Sequence, residues 1–266
     1  MDIVNPTFRR YAEKIIRTLM AHVHHHPAII GWQLDNETKH YDNIGRYMQE
    51  GFVRSLQEKY PDLRQLNHDF GLDYWSNRID RWQDFPPVEN TINASLACAF
   101  SRYQRQQVTE YLAWQAAIVR EYAQPHQFVT HNFDFEWRGY SYGVQPRVDH
   151  FAAAQALDIA GVDIYHPSQA HLTGREIAFG GAISRSLKPG QNYFVLETQA
   201  QGFAQWTPFP GQLRLQAFSH IASGAAMVSY WHWHSIHNAF ETYWKGLLSH
   251  DFSRNPTWQE ATTIGA

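Results

Sequence analysis

The sequence has little of several features that would indicate particular classes of protein. Its 266 residues include one cysteine, Cys98, which excludes an internal disulfide and, alone, a cysteine-rich zinc site. No apolar run approaches the roughly 20 residues of a membrane-spanning helix, and no basic start followed by an apolar stretch marks a signal peptide. The net charge of -3 provides no basic surface for nucleic acid. We therefore expect a cytoplasmic protein without membrane or nucleic-acid partners.

Aromatic residues, in contrast, are abundant. Hydrophobic residues make up 44% of the chain, and the 10 Trp, 14 Tyr and 16 Phe make up 15%. Such a composition supports a sizeable core. Aromatic rings also stack on the apolar faces of sugars, but composition alone favours a core rich in large rings.

Short apolar segments alternate with helical patterns along the chain. Helices are predicted at 6–26, 43–59, 98–123 and 211–223, and strands at 28–34, 128–133, 159–165, 193–197 and 226–231. This alternation indicates an α/β fold with a parallel sheet. Because a (β/α)8 TIM barrel needs eight strands and the chain starts with a helix, we expect an incomplete barrel of about the last five βα units, as one partial domain over 1–266.

A long insertion separates the first two predicted strands. Residues of about 60–97 predict an elaborated loop region with short helices, and loops of this length are usually functional or disordered. The rings of Tyr74, Trp75 and Trp82 argue against disorder.

Two glutamates follow apolar strands and are candidates for catalysis. Glu37 ends the segment Gly31-Trp32-Gln33-Leu34-Asp35-Asn36-Glu37, and Glu197 ends another strand. In a parallel barrel, the carboxyl ends of the strands collect catalytic side chains. A retaining glycosidase needs two carboxyl groups about 5–5.5 Å apart. Either glutamate alone is better explained as a helix cap or surface ion pair, whereas the two together favour catalysis.

Neighbouring polar residues have two interpretations each. Asn36 can bind a sugar 2-hydroxyl or close the strand end, and Asn132 is a further polar residue at a strand end. Tyr165 can hydrogen-bond Glu197 and keep it ionised, although a half-buried core tyrosine is the commoner case. Asp163 is either a site residue or a structural acceptor.

Other chemistries fit the sequence poorly. Histidines cluster at 22–26 and 232–237, where a helix end and sugar contacts, respectively, explain them better than a metal does. Ser141 lies in a G-x-S-x-G pattern, but a nucleophile elbow needs a strand directly before it and a helix directly after it. The segment before Ser141 is a poor strand, and Pro146 opposes a helix.

Many ordered motifs resemble one known family. The segment His26–Glu37 resembles the acid/base segment of glycoside hydrolase family 42, the microbial β-galactosidases. The resemblance continues at 66–76, 129–133, 158–167, 196–199, 210–215, 230–233, 241–246 and 250–251.

The resemblance implies specific roles. Glu37 would be the acid/base and Glu197 the nucleophile of a retaining enzyme that cleaves terminal β-D-galactosides, with Asn36 on the sugar 2-hydroxyl. Asn132 and Tyr165 join the substrate-binding candidates. Trp206, Glu241 and Trp244 would line the galactose subsite, although many members have His at the position of Trp244.

The sequence also departs from the family pattern. The upstream strands, with an arginine of the sugar site, are absent, as are the downstream domains; the absent trimerisation region leaves a homo-oligomer open for the full-length protein. Some members bind zinc in a cysteine cluster, to which Cys98 does not correspond, so we predict no metal and no cofactor. Two alternatives stay open: an inactive sugar-binding remnant, and a related retaining enzyme acting on an arabinopyranoside or glucoside.

Overall fold

The computed structural model describes residues 1–201 and 207–266, which divide into two compact units. The first unit contains 1–24, 38–122 and 147–149, and the second contains 25–37, 123–146 and 150–266. Among the described residues, no helix combines the length and apolarity needed to cross a membrane.

The first unit is helical. Its helices are α1 (Pro6–Val23), α2 (Arg46–Lys59), α3 (Leu63–Phe70) and α4 (Ala94–Arg120), and α1 and α2 both pack against α4. Side-chain caps explain two of the helix starts. Asn5 accepts hydrogen bonds from the backbone N–H groups of Thr7 and Phe8, and Asn93 caps α4 through the N–H of Leu96. The cap at Asn93 starts α4 at residue 94, four residues before the predicted start.

The elaborated region at 60–97 is ordered around a hydrophobic core that it shares with α2 and α4. It contains α3 and two short 3-10 turns, at Tyr74–Ser76 and Trp82–Asp84. Apolar side chains of this region pack with those of α2 and α4 in one buried cluster, which consists of Met48, Phe52, Leu56, Leu66, Leu72, Ile79, Val88, Leu96 and Phe100. Burial of these side chains, rather than regular backbone pairing, orders the region.

The second unit contains the strands and four further helices. The strands are β1 (Gly31–Gln33), β2 (Phe128–Thr130), β3 (Asn132–Phe133), β4 (Gly161–Asp163), β5 (Tyr193–Gln199) and β6 (Ala225–Trp231). The helices are α5 (His150–Ala154), α6 (Arg175–Leu187), α7 (Gln212–Ala222) and α8 (Pro256–Gly265). β1 pairs with β2, and the other strands form a sheet in the order β3-β4-β5-β6. Every pairing is parallel, as predicted, and the described sheets do not close into a barrel.

The structure corrects the strand boundaries. The predicted strand 128–133 is divided at His131, because β2 pairs with β1 whereas β3 pairs with β4. The ring of His131 fills the point of divergence, with Nδ1 2.5 Å from the carbonyl oxygen of Leu34. The predicted strand 28–34 is shorter than expected, because residues before Gly31 form a turn closed by a hydrogen bond from Ile29 N to His26 O.

Candidate active site

Three carboxyl groups meet in the second unit, at or near the carboxyl ends of three parallel strands. Glu37 follows β1, Asp163 is the last residue of β4, and Glu197 lies in β5. The β4–β5 register pairs Asp163 with Glu197 on neighbouring strands. One carboxylate oxygen from each of the three side chains lies within 4.8 Å of the others. The structure therefore brings the two predicted glutamates together, with an aspartate beside them.

The loop that carries Glu37 has a strained backbone held by hydrogen bonds. Asp35 and Glu37 have φ angles of 40° and 42°, in the left-handed region that non-glycine residues rarely adopt. Gln33 Nε2 donates to Asp35 O at 3.2 Å, and Glu37 N donates to Asn132 Oδ1, also at 3.2 Å. Such conformations persist only where surrounding contacts enforce them, and here they direct a short loop from β1 towards the carboxyl cluster.

Asn132 lies at the centre of the hydrogen-bond network. Its Oδ1 accepts from Gln33 Nε2 at 2.9 Å as well as from Glu37 N, and its Nδ2 donates to Asn36 Oδ1 at 2.9 Å and to Asp163 Oδ2 at 2.7 Å. Nδ2 also lies 3.5 Å from Glu197 Oε1. The side chain is fully buried.

Tyr165 holds the other oxygen of Glu197. Its hydroxyl donates to Glu197 Oε2 at 2.8 Å, which is the hydrogen bond that the sequence suggested. Burial, followed by the negative charge of Glu197, raises the pKa of Tyr165, so the phenol stays protonated and remains a donor. Its backbone is anchored to Ser141, whose Oγ accepts from Tyr165 N at 2.9 Å and whose N–H donates to Tyr165 O at 3.0 Å. Ser141 is buried in this structural role.

Burial dominates the electrostatics of the cluster. It raises the pKa of Glu197; the Tyr165 hydrogen bond opposes that shift, and the charge of Glu241 adds to it. The pKa of Asp163 is raised well above its ordinary value, first by burial and then by the charges of Glu197 and Glu37. Like charges this close do not ionise together easily, so the cluster disfavours simultaneous ionisation of Asp163 and Glu197.

Two of the remaining predicted residues also lie by Glu197 or Tyr165. Glu241 acts on Glu197 through its charge, and the buried ring of Trp244 lies 5.2 Å, centroid to centroid, from the ring of Tyr165. Trp206 lies outside the described residues, so its predicted role stays a prediction. The same is true of the substrate contacts predicted for Asn36 and Asn132.

The carboxyl cluster is also the one set of His, Cys, Asp and Glu side chains, within 1–201 and 207–266, with the spacing of a metal site. The histidines around His234 are close to one another, with ring centroids 5.2 Å from His232 and 6.0 Å from His237, but they do not have that spacing. Donors already occupy oxygens of Asp163 and Glu197, an arrangement that suits proton chemistry better than cation binding.

The family profile of glycoside hydrolase 42, which is described as beta-galactosidase, matches residues 1–266. The chain belongs to glycoside hydrolase family 42. It is 29% identical to β-galactosidase BgaH of Haloferax lucentense, over 97% of this chain and 41% of that protein. It is also 29% identical to a β-galactosidase of Thermus thermophilus, over 98% and 43% of the two chains.

Solved family 42 structures have the same fold. A β-galactosidase from G. stearothermophilus superposes with a TM-score of 0.89 at 23% identity, over 99% of this chain and 40% of that one. A β-galactosidase from Halorubrum lacusprofundi gives a TM-score of 0.85 at 24% identity, over 98% and 41%. The chain thus has the fold of part of a family 42 TIM barrel, and it spans about 40% of the length of these relatives.

Sequence reasoning missed part of the network. It did not identify Gln33, which braces the loop of Glu37, and it left the role of Asp163 open. One available signal was the position of Gln33, a polar residue between Trp32 and Leu34 in an otherwise apolar strand. The link from Gln33 to Asn132 depends on strand pairing and has no local signal.

Proposed function

We propose that the chain provides the catalytic carboxyl pair of a retaining β-galactosidase, with Glu37 as acid/base and Glu197 as nucleophile. The observation that supports this most directly is that a carboxylate oxygen of Glu37 lies within 4.8 Å of a carboxylate oxygen of Glu197. Carboxyl groups about 5–5.5 Å apart are typical of retaining glycosidases, whereas inverting enzymes separate them by about 6.5–9.5 Å to admit a water.

The reaction proceeds in two displacements. Glu37 donates its proton to the glycosidic oxygen while a carboxylate oxygen of Glu197 attacks the anomeric carbon, so the bond to the leaving group breaks as the glycosyl ester forms. Water then attacks the same carbon; Glu37 accepts its proton, and Glu197 leaves as a carboxylate.

The hydrogen bonds support this assignment of roles. Burial raises the pKa of Glu197, and the hydrogen bond from Tyr165 opposes that rise, which favours the ionised form that a nucleophile needs. Glu37 is carried by the braced loop after β1, which fixes the position from which it would deliver a proton. A positioned acid contributes typically 10²–10⁴-fold to the rate.

Galactose is the proposed sugar because the family profile and the relatives described above are β-galactosidases. The two alternatives make different predictions. A related enzyme for another β-glycoside would turn over an arabinopyranoside or glucoside faster than a galactoside. An inactive remnant would turn over none of them, even though its carboxyl groups lie together.

The test compares hydrolysis of a chromogenic β-galactoside by the 266-residue chain, Glu197→Gln, Glu37→Gln and the control Glu89→Gln, whose side chain is exposed. We expect each active-site substitution to lower kcat by roughly 10³-fold or more, while E89Q matches the wild type.

A 2-deoxy-2-fluorogalactoside should label the wild type with one glycosyl unit, and mass spectrometry of a digest should locate it on Glu197. Activity that survives E197Q, or a label on another residue, would overturn the assignment. A folded chain that hydrolyses none of the glycosides would support the remnant.

A further inference from the structure

Asn132 joins the two segments that carry the proposed catalytic glutamates. Its Oδ1 accepts from Glu37 N, and its Nδ2 donates to Asn36, on the loop after β1; that Nδ2 also lies 3.5 Å from Glu197 on β5. An amide nitrogen has only two hydrogens, and the short contacts, to Asn36 and Asp163, take both. Asp163 therefore provides one of the two acceptors that orient the Asn132 amide nitrogen.

Asp163 is the most buried of the three residues that carry these carboxyl groups. Its relative exposure is 1%, and Oδ2 is the oxygen that accepts from Asn132. Oδ1 is buried and has no hydrogen-bond partner in the described parts of the chain. A buried carboxylate with one donor and no cation would carry a large desolvation cost, whereas a neutral acid with one unused hydroxyl carries much less.

The charges around Asp163 add to this cost. Glu37 after β1, Asp134 after β3 and Glu197 on β5 all raise the pKa of Asp163, and the hydrogen bond from Asn132 opposes them only in part. Another polar residue of the cluster, Tyr165, is a neutral phenol that donates to Glu197. The acidic groups facing Asp163 therefore favour its uncharged form.

We propose that Asp163 is a positioning residue that stays protonated in the folded chain, holding the Asn132 amide in the orientation that binds the Glu37 loop beside Glu197. The role of this acid rests on the proposed function, since the groups that it positions are the proposed catalytic pair. Because Asp163 adds no charge, Glu197 can ionise without a second anion on the neighbouring strand. Asp163 itself need not touch substrate.

The first test needs no turnover. The unfolded chain releases the proton of Asp163 near pH 4, whereas the folded chain retains it to higher pH. The contribution of this group to stability is therefore full below about pH 4 and falls as the pH rises. Asp163→Asn provides the same acceptor without titrating, so the Tm of D163N relative to wild type should rise between pH 4 and pH 7, by about 2–5 °C.

Two further variants control this measurement. Asp163→Ala removes the acceptor and should lower Tm at both pH values, and Asp80→Asn, at an exposed aspartate, should leave the pH dependence unchanged. If the Tm difference for D163N is constant, or falls as the pH rises, Asp163 is ionised in the folded chain and the proposal is wrong.

Kinetics then separates positioning from simple packing. With a chromogenic β-galactoside, D163N should lose far less kcat/KM than Asp163→Ala, and the acidic limb of its pH profile should not move. D163A should lose about 10–100-fold, mainly in kcat, because the carboxyl pair loses its alignment. A downward shift of the acidic limb in D163N would show that a negative charge had been removed beside Glu197, which contradicts the proposal. If wild type is inactive, the proposed function fails while the thermal result still decides the state of Asp163.

Discussion

At the scale of single residues, Tyr165 offers the sharpest probe of the site. Its hydroxyl is 2.8 Å from Glu197 Oε2 and opposes the rise that burial causes in the pKa of that carboxyl. Removing the hydroxyl in Tyr165→Phe should therefore raise the pKa of Glu197, so that more of it is protonated at low pH. We expect the acidic limb of kcat/KM to move to higher pH, and kcat/KM at neutral pH to fall about 10–100-fold, as the loss of a charged hydrogen bond of about 1.5–3 kcal/mol implies.

The measurement is a pH–rate profile of wild type and Y165F on one β-galactoside. Tyr74→Phe is the matched control, since Tyr74 is 71% exposed. A profile of Y165F with an unmoved limb would mean that Tyr165 only fills space beside Glu197.

Site residues differ in how far the sequence could identify them. Glu37 follows one apolar segment and Glu197 ends another, and parallel strands bring their carboxyl ends to one edge, so the proximity of the two glutamates follows from the fold class. Asn132 required more: its contacts depend on β1 pairing with β2 while β3 pairs with β4, with His131 at the division. Only the strand pairing in the structure shows that both the oxygen and the nitrogen of the Asn132 amide are hydrogen-bonded. The protonation of Asp163 likewise depends on burial, which a sequence position does not reveal.

At the scale of secondary-structure elements, a pair of buried histidines links the end of β4 to α7. His166, which follows β4, and His220 on α7 have ring centroids 5.6 Å apart and are almost fully buried. Burial lowers the pKa of His166 to about 4 and, with the charge of His166 adding, that of His220 to about 3. Neither ring nitrogen of His220 has a hydrogen-bond partner among 1–201 and 207–266.

This pair predicts loss of stability in acid. Below about pH 6.5 these histidines bind protons in the unfolded chain but not in the folded chain. Their contribution to the free energy of unfolding is therefore greatest above that pH and falls as the pH drops towards 4. His220→Leu removes one titrating group and two unpaired buried nitrogens. We expect it to match or exceed wild-type stability at pH 7, and to exceed it by about 1–3 kcal/mol at pH 4.5.

Urea unfolding at pH 7, 5.5 and 4.5 would measure these differences. His126→Leu, at an exposed histidine, controls for the change of residue type. Parallel pH dependence in H220L and wild type would show that His220 does not contribute to acid unfolding.

The elements themselves were largely predictable, and the errors have local causes. Strands and helices were identified because apolar periodicity reflects burial on one or both faces. Their ends depend on side-chain caps such as Asn93 and on turns such as the one at 26–29. The order in 60–97 was harder to predict, because its apolar residues are irregularly spaced and pack without a repeating pattern.

At the scale of the whole molecule, the described parts of the 266-residue chain leave strand edges without partners. In the described ranges, β1 pairs only with β2 and β6 only with β5. Burial follows the same pattern: every residue of β4 is buried, whereas most of β6 is only partly buried. Within the same unit, α7 exposes Leu215, Phe218 and Ile221. An unpaired strand edge, in a unit that also exposes apolar side chains, is a template for association with another chain.

We therefore expect the isolated chain to self-associate through the edge of β6. Light scattering after size exclusion should give a mass above 31.0 kDa at micromolar concentrations. Ala226→Lys places a charge at an exposed position of β6 and should shift the population towards monomer, since charged residues blunt strand edges. Ala182→Lys, at an exposed position on α6, adds the same charge away from the edge and should leave the mass unchanged.

A wild-type chain that is monomeric throughout this range would show that the edge of β6 does not bind a second copy of the chain. Equal dissociation by both variants would attribute association to net charge rather than to β6.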